Sequence, residues 1–551
     1  MANYPWLKSY PEEIKWDATI DPRPLYSILD ETTEKFPWHN AIDFFGKRYS
    51  YSYLLQEVNR AAEGLQKLGA GKGVNIGIYL PNCPQYIISY FAILKTGATV
   101  VNFSPLYSEP ELSYQLENSQ TKILITLDLE SLYAKAHSLL AKRKFEKLIV
   151  SNFASSLPFL KSLLFSNFKK KLIAKIKWDE SHIKWDSLLD NEQISELPEI
   201  DPHNDIAVLQ YTGGTTGTPK GAMLTHYNVY ANTLQCRMWF ADAKDGEEKM
   251  MGVLPFFHVF AMTTVMNFSI VIGAEIILHP RFEIEKVLKD INNKKPTLMP
   301  GVPTMYTAIN NHPGLSKYSL RSLKACISGG APLPVEVKQK FEELTECKVV
   351  EGYGLTECSP VVSANPLTGK NKPGSIGMPL PGTMVEIEEI GKPRNFMPTG
   401  QKGELCVRGA QVMKGYWCNR QETINVIDED NRLKTGDVAY IDEDGYIFIV
   451  DRIKELILSG GFNIYPRNVE EAIYRNEAVM ETAVIGVPDE YHGQVVKAFV
   501  VLNPGFRLTP EELKEFLKTQ LGKHELPAFI EFRDSLPKTM VGKIDKKQLK
   551  T

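Results

Sequence analysis

The sequence predicts an α/β protein, with a large N-terminal domain of packed sheets and helices followed by a small α+β domain at the C-terminus. Three observations predict it. The chain has 551 residues, too many for one hydrophobic core. Short apolar runs of strand length alternate with amphipathic stretches, the pattern of parallel strands joined by helices. Beyond the charged run "DRIKE" (451–455) a fresh set of strand and helix patterns begins, enough for a separate domain of about 100 residues.

"GVNIGIYLPN" (73–82) reads as a buried strand. "PQYIISYFAILKTGATVVNF" (84–103) is a helix and then a strand, and "TKILITLD" and "KLIVSN" are further strands. "LPFLKSLLFSNFKKKLIAKIKW" (157–178) is apolar and lysine-rich together. Two readings fit it: a surface helix that buries one face, or a patch that touches a membrane peripherally. Towards the end, two strands flank the turn "EDG" of 443–445. After them come "NVEEAIYRN" (helix), "VMETAVIGVPD" and "VVKAFVVLN" (strands), and "TPEELKEFLKTQLG", a helix with Thr509 as N-cap and Glu512 completing a capping box. The boundary falls between 1–451 and 452–551.

Composition excludes several classes. With 43% hydrophobic and 23% charged residues the chain is an ordinary globular one, and a net charge of −3 gives no case for nucleic-acid binding. The opening "MANYPWLKSYPEEIKW" lacks the basic and then apolar pattern of a secretory leader, and no apolar run is long enough to span a bilayer. Seven cysteines without a C-x-x-C pair argue against a disulfide framework or zinc site and fit a cytoplasmic protein. The glycosylation-type triplet at Asn267 is read as chance.

The densest chemistry lies in "LQYTGGTTGTPKGAMLTH" (209–226). A Walker A loop requires G-x-x-x-x-G-K-[ST] between a strand and a helix. Here Lys220 follows Gly217 by three, Gly221 stands where the Ser or Thr should be, and "GAMLT" continues as a strand. The segment is a strand–loop–strand, and its residues still suit phosphate. Gly213, Gly214 and Gly217 let successive N–H groups turn inward as an anion nest. Thr212, Thr215, Thr216 and Thr218 add hydroxyl donors, and Lys220 adds a full charge.

"YTGGTTGTPKG" resembles the signature loop of the adenylate-forming superfamily of acyl-CoA synthetases, luciferases and adenylation domains. "LPFFHVF" (254–260), "SGGAPL" (328–333), "GYGLTE" (352–357), "KTGD" (434–437), "DRIKELI" (451–457) and "PKTMVGKID" (537–545) follow in the superfamily's order and span nearly the whole chain. The wording is closest to the fatty acyl-CoA ligases. The resemblance implies a two-step reaction in which a carboxylate attacks the α-phosphate of ATP and coenzyme A then displaces AMP, with Mg²⁺ assisting.

It also implies roles. Glu357 and Thr212 match the Mg²⁺ site, and Thr356 a phosphate contact. Tyr353, between Gly352 and Gly354, would stack on adenine, with Gly329, Gly330 and Ala331 opposite. Asp437 would accept from the ribose hydroxyls with Arg452 beside it, and Lys543 matches the catalytic lysine. The small domain would be mobile and turn about Lys454, withdrawing Lys543 and bringing Gly460 and Gly461 towards coenzyme A. Lys538 and Lys546 lie close to Lys543 in sequence.

The acyl site draws on Phe256, His258, Phe260, Ser328, Cys358, Ser359 and Pro360. No carboxylate stands in "LPFFHVFAM" to pair an amino group, so an apolar acid of medium or long chain is expected. An aryl-acid or other carboxylate ligase, an acyl-AMP ligase, or a nucleotide-binding sensor without turnover are the alternatives. A homodimer is compatible with the sequence.

Overall fold

The computed structural model describes residues 4–194, 196–212, 219–460, 462–539 and 544–550. Its first organising element is an eight-stranded sheet in the order Gly415–Tyr416, Lys220–Thr225, Ile206–Thr212, Thr99–Asn102, Asn75–Ile78, Thr121–Leu127, Lys147–Ser151, His182–Lys184. The six strands from Ile206–Thr212 onward run parallel and the other two antiparallel. Parallel strands need crossovers, and helices such as Pro84–Lys95 supply them. All twelve residues of that helix are buried, which explains why its sequence is apolar all round.

Two four-stranded sheets adjoin it in the large domain. One runs Lys249–Gly252, Glu275–Leu278, Asn40–Phe44, Lys47–Ser50; the other Ala325–Ser328, Lys348–Gly354, Val361–Ala364, Met378–Pro379. A third is antiparallel: Met384–Glu388, Gly403–Arg408, Leu433–Ile441, Ile447–Arg452. One buried apolar cluster extends from Trp6 to Ile447 and serves all of these.

The smaller C-terminal domain has its own cores, beginning at Ile457. Strands Val479–Asp489 and Gly493–Leu502 pair antiparallel, with Phe529–Phe532 added in parallel. Helices Pro466–Tyr474 and Pro510–Lys518 pack Val469, Ile473, Leu513 and Leu517 beneath them. Thr509 and Glu512 form the expected reciprocal cap.

No residue of helix Phe159–Phe168 is fully buried; Ser162, Phe165 and Ser166 are half-buried, so the face it turns to the body is shallow and the rest is exposed. Phe165 leans on the body, its ring 5.1 Å from that of Phe153, and Lys161 Nζ donates to Phe45 O at 2.7 Å. Asn267 is fully buried, which makes its glycosylation triplet inert. All seven cysteines are free thiols. Among the described residues no helix is long and apolar enough to cross a membrane.

Candidate active site

The glycine–threonine segment is built as a strand–loop–strand. Ile206–Thr212 and Lys220–Thr225 pair antiparallel with Thr212 opposite Lys220, and the next helix starts at His226 with Thr225 as its cap. Residues 213–218, which include Gly213, Gly214, Thr215, Thr216, Gly217 and Thr218, lie outside the described residues, as do Gly461 and Lys543. What is described is the pair of posts that carry the loop.

A second strand end meets these posts. The parallel pairing of Ser328 with Glu351 places 328–331 beside 352–357. The strand Lys348–Gly354 then leads into the single turn Thr356–Cys358, which packs against both glycine-loop strands. Two glycines are required here. A Cβ on Gly354 would lie 2.2 Å from the carbonyl oxygen of Pro360, and one on Gly329 would lie 2.9 Å from the Phe260 ring. Gly352 abuts Ile327, Gly330 takes φ +84, and Ala331 is half-buried beside it. The turn that carries Glu357 is therefore set against the two strands that end in Thr212 and begin with Lys220.

Glu357 Oε1 accepts a 2.7 Å hydrogen bond from Tyr416 Oη. Burial and the neighbouring Glu357 charge push the Tyr416 phenol well up, so it stays a donor. Lys220 pairs with Glu422 and sits 5.2 Å over the Tyr416 ring. That pairing holds the Glu422 carboxyl below its ordinary range, with a smaller contribution from Lys454. Gly415–Tyr416 reaches this place as the edge strand on Lys220–Thr225.

Tyr353, Asp437 and Arg452 form a second cluster. Strand pairing puts Asp437 opposite Arg452. Asp437 Oδ1 lies 3.0 Å from Arg452 Nε, and Oδ2 accepts from Tyr353 Oη at 2.5 Å. Asp437 is 2% exposed. Burial, and then the Asp437 charge, push the Tyr353 phenol well up; Asp437 raises Arg452.

The apolar residues divide. Phe256 is fully buried, edge-on to Tyr86 at 5.6 Å between centroids. Phe260 is half-buried against Gly329. His258 caps the turn before Phe260, Nδ1 accepting its N–H at 3.3 Å. Cys358 and Ser359 are fully buried; the Ser359 hydroxyl donates to Gln411 O at 3.0 Å. Ser328 Oγ is buried and has no partner among the described residues. The helix continues from Val259–Ala261 into a π-turn, Met262–Asn267, a device that recurs at functional sites.

Several members of the site left no sequence signal. Gln210 Nε2 donates to Phe257 O at 2.8 Å, Asn102 Nδ2 to Gln210 Oε1 at 2.9 Å, and Tyr86 Oη to Asn102 Oδ1 at 2.6 Å. This buried relay ties the glycine-loop strand to the phenylalanine segment. Tyr416 and Glu422 were missed as well, although "KGYW" (414–417) carries an aromatic pair that could have drawn attention.

At the domain junction Lys454 lies in the turn Ile453–Glu455. Asp451 accepts the backbone N–H groups of Arg452 and Arg467, and burial pushes its carboxyl up to about 6. Lys546 lies 3.1 Å from Glu455 and 2.8 Å from Glu470, while Lys538 pairs with Glu481 at 2.5 Å. Burial lowers Lys546, but the two glutamates outweigh it and raise the group. Gly460 takes φ +55 and donates its N–H to His492 O at 2.9 Å.

Known proteins resemble this chain over nearly its whole length. A family model described as AMP-binding enzyme matches residues 29–417, and one described as AMP-binding enzyme C-terminal domain matches 468–543. A long-chain-fatty-acid–CoA ligase of Bacillus subtilis (strain 168) is 46% identical over 558 residues, 99% of this chain and 97% of its own. A protein of the same description from Yersinia pestis is 37% identical over 560 residues, again 99% and 97%. The crystal structure of ATP-bound MatB from Rhodopseudomonas palustris superimposes with a TM-score of 0.85 at 26% identity, covering 96% of this chain and 98% of that one.

Proposed function

The chain belongs to the family of AMP-binding enzymes, and within it we propose an ATP-dependent, AMP-forming fatty acid–CoA ligase that acts on medium- to long-chain acids. One observation carries the reading. The turn bearing Glu357 packs against the two strands that carry Thr212 and Lys220, and Tyr416 lies between Glu357, to which it donates, and the Lys220 ammonium over its ring. This supports a carboxylate, a hydroxyl and a cation serving one site where the glycine loop begins.

In the first half-reaction a carboxylate oxygen of the acid attacks the α-phosphorus of ATP, and the bond to pyrophosphate breaks. Two anions must meet, so positive charge has to be supplied in a dry place. The donor set at Glu357 and Thr212 is all oxygen, as Mg²⁺ prefers, and these two residues would hold it. When bound, Mg²⁺ neutralises phosphate charge. Tyr416 fixes one oxygen of Glu357, and the other would be available to the ion. Lys220, balanced by Glu422 at the half-exposed rim, exchanges that partner for phosphate. Tyr353, anchored through its hydroxyl, offers its ring to adenine, and Asp437 with Arg452 meets the ribose. Lys543 bridges the acid and the α-phosphate.

In the second half-reaction the sulfur of coenzyme A attacks the acyl carbon, the thiol proton leaves, and AMP is displaced. Residues 452–551 act as a mobile lid turning about Lys454, which replaces Lys543 by the segment around Gly460 and Gly461. The acyl chain lies by Phe260, His258 and the π-turn, where each buried CH₂ contributes about 0.8 kcal/mol, so the depth of the channel sets chain-length preference. The 46% identity to a long-chain-fatty-acid–CoA ligase supports an apolar acid.

The test is release of AMP and pyrophosphate across fatty acids of increasing length, with and without coenzyme A. AMP and pyrophosphate are expected, with an acyl-CoA thioester only when the thiol is present. Production of ADP and phosphate would overturn the reading; turnover that never consumes coenzyme A would make the chain an acyl-AMP ligase.

A further inference from the structure

Helix Phe159–Phe168 is exposed on the side where its sequence is most apolar. Phe159 is 80% exposed, Leu160 71%, Leu163 52%, Leu164 56% and Phe168 79%. At 100° per residue these five fall on one half of the helix and Phe165 on the other. Phe165 is the side chain that meets Phe153, so the apolar half is turned to solvent by the packing itself. The segment is tied down at its far end as well, where Ala174 donates its N–H to Asp128 O at 2.8 Å. The face is thus fixed outward.

Charge says what covers it. From Lys147 to Trp178 there are seven lysines and not one Asp or Glu, in a chain whose net charge is −3. Lys169, Lys170, Lys171, Lys175 and Lys177 are all exposed, while Lys161, also exposed, is held back by its bond to Phe45 O at 2.7 Å. An apolar face rimmed by cations, with Asp179 and Glu180 following only beyond Trp178, is complementary to an anionic bilayer: aliphatic and phenyl groups enter the acyl boundary while the ammonium groups meet lipid phosphates. Trp178, half-exposed with Lys184 Nζ 5.3 Å over its ring, suits the headgroup level of the same surface. A second copy of this chain would present the same positive charge to itself and repel.

We propose that 159–178 is a peripheral docking surface for anionic lipid bilayers. The attachment is reversible: the apolar helix is ten residues long and lies on the surface of the fold, so it enters one leaflet and crosses nothing. Docking would place the enzyme at the phase in which long-chain acids concentrate, but the binding itself does not depend on the ligase reading.

The experiment is co-sedimentation of the full chain with vesicles of phosphatidylglycerol and phosphatidylcholine in equal parts, and with vesicles of phosphatidylcholine alone, in the absence of any substrate. The wild-type chain is expected to pellet with the anionic vesicles and to be released at roughly 0.5 M salt, where the Debye length falls to a few ångströms. K169E/K170E/K171E should reduce anionic-vesicle binding by about tenfold or more. F159S/L160S/L164S should reduce it at every salt concentration. All six positions are exposed, and unchanged thermal melting will show that both variants fold. The proposal is overturned if the wild type stays in the supernatant, if it binds both vesicle types alike, or if both variants pellet as the wild type does. A wild-type dimer that F159S/L160S/L164S converts to monomer, with no vesicle binding by either, would make the patch a self-interface and overturn it too. AMP release in detergent-free solution is expected to be unchanged in both variants, so failure here and failure of the ligase reading are separable.

Discussion

Tyr416 Oη donates a 2.7 Å hydrogen bond to Glu357 Oε1, across 59 residues of sequence. The tyrosine sits on the edge strand beside Lys220–Thr225 and the glutamate on a turn packed against that strand, so the bond joins two elements that meet only in the folded chain. A hydrogen bond to a charged group contributes roughly 1.5–3 kcal/mol. Tyr416→Phe should therefore lower the adenylation rate by about one to two orders of magnitude and weaken the apparent Mg²⁺ dependence, with little change in ATP affinity. Pyrophosphate exchange at graded Mg²⁺ measures both. An unchanged Mg²⁺ profile would mean that Glu357 is oriented without Tyr416.

Lys220 and Glu422 are each about one-third exposed, so their ion pair is of the screened, surface kind and adds at most about 1 kcal/mol to stability. Under the proposed reading its importance is competitive, because the lysine would leave Glu422 to meet phosphate. Glu422→Gln is expected to lower the KM for ATP by roughly two- to fivefold at low salt, to lose that advantage at high salt, and to leave the melting temperature unchanged. A raised KM would show instead that Glu422 positions Lys220 for the nucleotide.

These two contacts mark the limit of what the sequence discloses. The parallel core was legible because buried strands and a helix such as Pro84–Lys95 announce themselves by apolar runs of the right length. Thr509 and Glu512 were legible because a capping box is local. The strand–loop–strand around 209–226 could be told from a Walker A loop by the position of one lysine and one glycine. Tyr416, Glu422, Asn102 and Gln210 were not legible. Their partners are distant in the chain, and a single tyrosine or glutamine has no period. Helix Phe159–Phe168 was half legible: its composition stood out, but which side it turns to the body depends on the packing of Phe165 on Phe153, a tertiary contact. Asp437 was read as a ribose contact beside Arg452; its bond to Tyr353 joins strands of two different sheets, 84 residues apart, and leaves no local signature.

His226, the first residue of the helix that follows the glycine loop, is fully buried and accepts the Leu25 N–H on Nδ1 at 3.1 Å. Burial pushes its pKa down to about 4. The unfolded chain protonates first, near 6.5. The neutral histidine therefore contributes stability that is fully present above pH ~6.5 and is lost as pH falls through about 4, with about 2 kcal/mol gone by pH ~5. His226→Asn keeps an acceptor for Leu25 without the titration. Its melting temperature should fall less than that of the wild type between neutral pH and pH ~5, and equal slopes would remove His226 from the acid response.

Two lysines three residues apart should behave oppositely. Lys543→Ala is expected to abolish adenylation and to spare thioester formation from supplied acyl-AMP, because only the first half-reaction needs a cation on the α-phosphate. Lys546 is committed to Glu455 on the junction turn and to Glu470 on helix Pro466–Tyr474. Removing it leaves two partly buried carboxylates facing each other without a counter-charge, at a cost of several kcal/mol. Lys546→Met should thus lower the melting temperature of the C-terminal domain and slow both half-reactions together. Lys538, paired with Glu481 at a more exposed place, should tolerate replacement in either assay. If Lys546→Met lost adenylation alone while Lys543→Ala kept it, the catalytic cation would be Lys546, and the Glu455 and Glu470 contacts would be the resting position of a group that must swing free to act.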